Sequence, residues 1–255
     1  LEERWARLVS TDDFEDRAQC FKTANTGRNI ATTVSGLPRL ADVPIGAPAE
    51  PIVRYGYRSF DRQWAFEDPR LTQATRPPLW SSLSKHQIFL TSFITKGLGS
   101  GPAASATSSI PDLDYFCGRG GKDVIPLYRD TAGTPNVATD TLNAITAAHQ
   151  ATDDSATAIT PESLFCYTYG ILAGGDYTDR FAEALRTPGP RIPLTADPHL
   201  FAEVAAHGEE LLWLHTYGER MSIDDRPDRI PISTTINWTN EPTRIHDDSK
   251  DFSYD

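Results

Sequence analysis

The sequence predicts an α+β fold: a mixed, mainly antiparallel sheet region followed by a packed C-terminal helical region. Three observations predict it. Between Ile52 and Asp130, short β-like runs (IVRYGYRSF, QWAFE, QIFLTSFIT, SATSSI, LDYFC and DVIPLYRD) are separated by Gly, Pro and Asp. After Asp130 the texture becomes helical, with Thr160-Pro161-Glu162 and Asp197-Pro198 as helix-start signals. A chain of 255 residues, 39% of them hydrophobic, is also long enough to bury a real core.

In chain order, LEERWARLVSTDDFEDRAQCF opens with helical spacing at Leu1, Trp5 and Leu8. A turn-rich stretch then ends at GLPRLADVPIGAPAEP, whose prolines exclude regular structure, so an extended connector lying on a surface is expected. Residues 1–50 thus form an N-terminal helix and connector. Residues 51–130 form the β-rich part, interrupted by a short helix at PPLWSSLS, where Pro77 and Pro78 occupy the permitted first turn. Residues 131–220 form the helical part, packed on the sheet. There SLFCYTYGILAG stops at Gly174-Gly175, DYTDRFAEAL follows, RIPLT reads as a short strand or extended crossing, and PHLFAEVAAHGEELLWLHTYG places Leu200, Val204, Leu211 and Leu214 near one face. Residues 221–255 are expected to be an extended tail, the truncated end of a longer chain. Leu1 in place of Met points the same way.

Composition narrows the function classes. No apolar run approaches the roughly 18–20 residues of a membrane span, so no membrane partner is expected and the expected location is the cytoplasm. Cys20, Cys117 and Cys166 are far apart with no CxxC pair, which fits packing rather than a disulfide framework or zinc. The net charge of −11 conceals an asymmetry. Residues 50–130 carry ten Lys/Arg against eight Asp/Glu, whereas residues 131–219 carry three against twelve. A basic face on an acidic body is compatible with phosphate contact, because remote charge is screened beyond a Debye length of about 8 Å.

Catalytic signatures are missing. GRGGKD lacks the first glycine and the Ser/Thr of a P-loop, GLGSGP lacks the spacing of a dinucleotide fingerprint, and no GxSxG elbow occurs. His199, Glu203 and His207 recur along one helix face without HExxH spacing, which fits a solvated face better than a metal site.

YRSFDRQWAFEDPRL, then RPPLWSSL, then GGKDVIPLYRD, then ITPESLFCYTYGILAGGDYTDRFAEALRTPGPRIPLTADPHLFAEVAAHGEELLWLH stand in an order that resembles the C-terminal target-recognition region of type ISP restriction-modification enzymes and related DNA adenine methyltransferases. Ser59 stands where that family usually has Pro, and Val124–Tyr128 stands for its F-P-L-Y strand. Lys22-Thr23 with Arg28 resembles its K-T-x-R segment, and the resemblance covers roughly residues 20–220. The resemblance implies a DNA sequence-specificity domain with double-stranded DNA and an upstream methyltransferase domain of the same chain as partners. It further implies no catalytic residue, metal or cofactor in this piece, with S-adenosylmethionine bound by the parent's methyltransferase domain.

Under that reading, Arg58, Arg62, Arg76, Lys85, Lys96, Ser100, Arg119 and Lys122 are the candidate DNA-binding residues, gathered into one positive rim. The loops GLGSGP and CGRGGK are the candidate sequence readers, with ordinary sheet-edge turns as the alternative, and their glycines could also bring backbone amides close to a phosphate. Arg58 and Arg62 have an architectural alternative, with Asp61 pairing a neighbouring arginine to lock a turn. In YRSFDRQW, alternation would put Arg58, Phe60, Arg62 and Trp64 on one side. The alternative for the whole chain is an acidic protein-interaction domain that docks within a larger enzyme without reading DNA.

Overall fold

The computed structural model describes residues 1–21, 30–72, 74–116 and 123–221. Cys117, Arg119, Lys122, Lys22, Arg28, the CGRGGK loop and the tail from residue 222 lie outside the described residues.

The N-terminal part contains two short helices where spacing predicts one. α1 (Glu2–Leu8) buries Trp5 and Leu8. Asp13 then restarts the chain as α2 (Phe14–Cys20), its carboxylate accepting from the Asp16 amide at 2.9 Å. Trp5, Leu8, Val9, Cys20, Leu40, Val43 and Phe66 close a small core. The connector, expected to lack regular structure, makes one 3-10 turn at Leu40–Asp42, and its remaining carbonyls need other partners. Arg17, only 2% exposed, supplies them, donating to the carbonyls of Thr11, Ala41 and Val43 at 2.7, 2.8 and 2.8 Å. Trp5 adds an indole bond to the Ala47 carbonyl at 2.9 Å.

Two three-stranded sheets follow. β1 (Ile52–Arg58) and β2 (Asp61–Phe66) form an antiparallel hairpin whose register shifts between Gly56 and Arg58. β5 (Ile110–Pro111) runs parallel to β1 at the edge, giving the order β2-β1-β5. The second sheet, β4-β3-β6, is antiparallel and comprises β3 (Phe89–Ser92), β4 (Ala104–Thr107) and β6 (Val124–Pro126). LDYFC, read as a strand run, forms none over the described residues 113–116. The predicted alternation through YRSFDRQW is corrected: the chain reverses at Ser59-Phe60, and Phe60 adopts φ 61°.

β3 and β4 are buried at every position, which fits the apolar run Ile88-Phe89-Leu90 that leads into β3. Phe89 faces the first sheet in a cluster with Tyr55, Trp80 and Ile110, where α3 (Pro77–Trp80) also packs. Ile88 and Leu90 face the helices.

Those helices are α4 (Thr139–Thr152), α5 (Pro161–Leu172), α6 (Gly175–Arg180) and α7 (Pro198–His215). The cap signals act as read. Thr160 and Ser163 form a reciprocal capping box at 3.0 Å, and Asp197 accepts from the amides of His199 and Leu200 at 2.8 and 3.2 Å. RIPLT crosses without becoming a strand. The expected inner face of α7 is corrected: Phe201, Ala205, Gly208 and Leu212 are buried, while Leu200 and Leu214 are exposed. The reason is backbone proximity. A Cβ on Gly208 would lie 1.8 Å from the Cys166 carbonyl of α5, so the small residues of α7 define its contact.

Candidate nucleic-acid interface

The predicted cations are held by the fold in different ways. Arg58 pairs with Asp112 at 3.0 Å and lies 4.0 Å from Asp114, with its guanidinium 3.9 Å above the Tyr57 ring. Asp112 also accepts from the Tyr55 hydroxyl at 3.0 Å. Arg76 donates to the Pro111 carbonyl beside this pair, and its backbone takes φ 36°. Burial lowers the Arg76 pKa, opposed by Tyr55 and Asp112. Arg58, Arg76, Tyr55 and Asp112 therefore tie β1 to β5.

Arg62 sits at the other side of the hairpin. It pairs with Glu219, just beyond α7, and stacks 3.8 Å above the Tyr217 ring. The Tyr217 hydroxyl donates to the Phe60 carbonyl at 2.5 Å, and the Phe60 ring meets His215 edge-on at 4.9 Å. This is a locked turn, but Glu219 and Tyr217 lock it where Asp61 was expected. Arg70, also in the basic segment, forms a pair with Asp68 at 2.7 Å that is 7% and 1% exposed, so its charge belongs to the interior.

Lys85 and Lys96 are exposed but lie on opposite ends of β3. Ser100 is exposed in the loop between β3 and β4, which is fastened by the Leu98 amide to the Leu185 carbonyl at 3.0 Å and by Thr178 to the Gly101 carbonyl at 2.6 Å. The single rim expected from charge counting does not form among the six described candidates. Counting registers charge along the chain, whereas Asp112, Glu219 and the strand ends set where that charge can act.

Two arginines absent from the predicted set, Arg54 and Arg220, border one cleft. Arg54 is exposed on β1, directly across from Trp64, with its guanidinium 3.7 Å above the indole. Trp64, Phe60 and Tyr57 are 56%, 55% and 43% exposed, so the hairpin presents aromatic rings interleaved with arginines. Arg220 lies beside Lys85 and Arg54 in a cleft of about 220 Å³ bordered by β1, Ser84 and Ser108. Burial lowers the Arg220 pKa, opposed by Glu219. The Arg54–Trp64 pair could be found only once the hairpin register was known. Arg220 lies beyond the segment whose charge suggested a basic face.

The chain matches the family described as the Type ISP C-terminal specificity domain over residues 1–254. It belongs to that family. The match is wider than the 20–220 span read from sequence blocks, and it takes in the N-terminal helices that pack beneath Phe66. Among solved structures, the specificity domain is similar to part of a DrdV–DNA complex determined by cryo-EM, with a TM-score of 0.50 and 26% identity over 65% of this chain and 16% of that one. A nuclease-deletion mutant of the Type ISP restriction-modification enzyme LlaGI, in complex with a DNA substrate mimic, is matched with a TM-score of 0.46 and 18% identity over 70% of this chain and 12% of that one. The specificity domain thus spans only a small part of either chain. No curated protein matches it.

Proposed function

We propose that this specificity domain reads the DNA target of a restriction-modification enzyme and presents the duplex to a methyltransferase domain of the same polypeptide. In this reading the enzyme works in the cytoplasm, and the methyltransferase domain binds S-adenosylmethionine. The family match across residues 1–254 carries the proposal. The DrdV chain that shares the fold is in complex with DNA, which supports it.

Within that function, contacts divide into those that position the duplex and those that read base edges. The hairpin rings and Arg54 suit close approach to a duplex surface. Arg58, Arg62 and Arg76 serve as the frame that holds the hairpin, since their guanidinium groups already face protein partners. Lys96 and Ser100 on the β3–β4 loop remain candidates for contact, as do Arg119 and Lys122 on sequence grounds.

Fluorescence anisotropy of a labelled duplex with the chain, repeated across NaCl concentrations, tests the proposal. Recognition through phosphates predicts that the logarithm of the binding constant falls linearly with the logarithm of salt. Binding that ignores salt, or no binding at low salt, would contradict it and favour a docking domain.

A further inference from the structure

The cleft beneath β1 gathers more positive charge than its own acid neutralises. Glu219 is the one carboxylate among the described residues that border it, and both its oxygens are engaged. Arg62 donates to one, and the Ser108 hydroxyl donates to the other at 2.7 Å. Arg220 is distributed over carbonyls, with Nε to Gln87 and Nη1 to Glu219 both at 2.9 Å, and Nη2 to Ser84 and Ser108 at 3.2 and 3.3 Å. Such bonds fix a guanidinium in place without cancelling its charge. Arg54 and Lys85 form no ion pair with a carboxylate of the described residues.

We propose that this cleft seats a phosphodiester group of the DNA backbone, approached by Arg54 and Lys85 with Arg220 as the fixed charge behind them. The assignment rests on the reading of the chain as a DNA-binding domain and goes further by separating affinity from specificity. An arginine seated over an indole keeps N–H donors for a phosphate, and a lysine adds a mobile point charge. Neither arrangement encodes a base. The cleft therefore sets register and salt dependence, and sequence reading belongs to other residues.

The test compares the full chain with Arg54→Gln/Lys85→Gln and with Arg4→Gln/Arg7→Gln, a charge-matched control on α1. All four side chains are exposed, so each variant should keep its unfolding temperature. Anisotropy on several duplex sequences across NaCl should show the log-log salt slope of the cleft variant reduced by about 0.9, the loss of one phosphate contact. The ranking of duplexes should stay unchanged, and the control should keep the wild-type slope. A cleft variant with the wild-type slope, an equal drop in the control, or an altered ranking of sequences would overturn the assignment while leaving the DNA-binding reading intact. Loss of salt-dependent binding in the wild-type chain itself would overturn both.

Discussion

Arg62 illustrates how a charge becomes architectural. Its side chain is 16% exposed, pairs with Glu219 and stacks on Tyr217, so truncation would strand a carboxylate and uncover an aromatic face together. Arg62→Ala should lower stability by about 2 kcal/mol in urea unfolding, the scale of a lost hydrogen bond to a charged group. Arg62→Lys should recover only part of it, because an ammonium neither stacks nor forks as a guanidinium does. His215 offers a second check. The Tyr169 hydroxyl and the His215 Nδ1 are 2.6 Å apart, and burial lowers the His215 pKa. The unfolded chain therefore takes up this proton at higher pH than the folded one, so the associated stability is present above about pH 6.5 and is lost as pH falls through the lower folded value. The melting temperature should drop between pH 7.5 and 5.5, and His215→Asn should show a smaller drop. The basic residues of segment 50–130 were legible as a set, but their roles were not. Asp112 and Glu219 bind Arg58 and Arg62 through tertiary contacts that no local pattern displays, whereas Asp68 binds Arg70 only two residues away.

At the scale of elements, α5 and α7 meet where their backbones come closest. Gly208 would place a Cβ 1.8 Å from the Cys166 carbonyl, and Gly170 one at 2.7 Å from the Val204 carbonyl. Neither obstacle can rotate away, so the helices must separate. Gly208→Ala should cost about 3 kcal/mol or more, measured by thermal unfolding, the upper range for overpacking a core. Helix starts at Pro161 and Pro198 were legible because a cap is a contact between residues two or three apart, and the start at Pro77 because proline suits a first turn, although Arg76 makes no side-chain cap there. The inner face of α7 was not, since Leu200 and Leu214 advertise burial while Ala205 and Gly208 achieve it. α4 was folded into a general helical expectation, because Ile145 and His149 alone are buried along its fourteen residues. The place where the hairpin reverses, and what locks it, was missed for a similar reason. A phenylalanine at φ 61° carries no turn signature, and Tyr217 and His215, far away in sequence, hold it there.

For the whole molecule, the order of layers explains how a strongly acidic chain can serve DNA. The helical part, with twelve Asp/Glu against three Lys/Arg, covers one face of the central sheet, and the hairpin sheet covers the other. Glu219, the last of those twelve acids, borders the cleft itself, where Arg62 and Ser108 occupy both its oxygens. The order of sequence blocks made the family legible, since each block marks a layer: hairpin, closing strand, then helices. The surface could not be read the same way, because it joins Arg54, Lys85 and Arg220 from three separate stretches of chain. In the proposed function, this domain carries the sequence preference of its parent enzyme. The most direct test exchanges residues 1–254 between two family members that methylate different targets, and maps the methylated adenines on DNA. The methylated target should follow the exchanged domain; methylation that keeps to the recipient's original sequence would overturn this function.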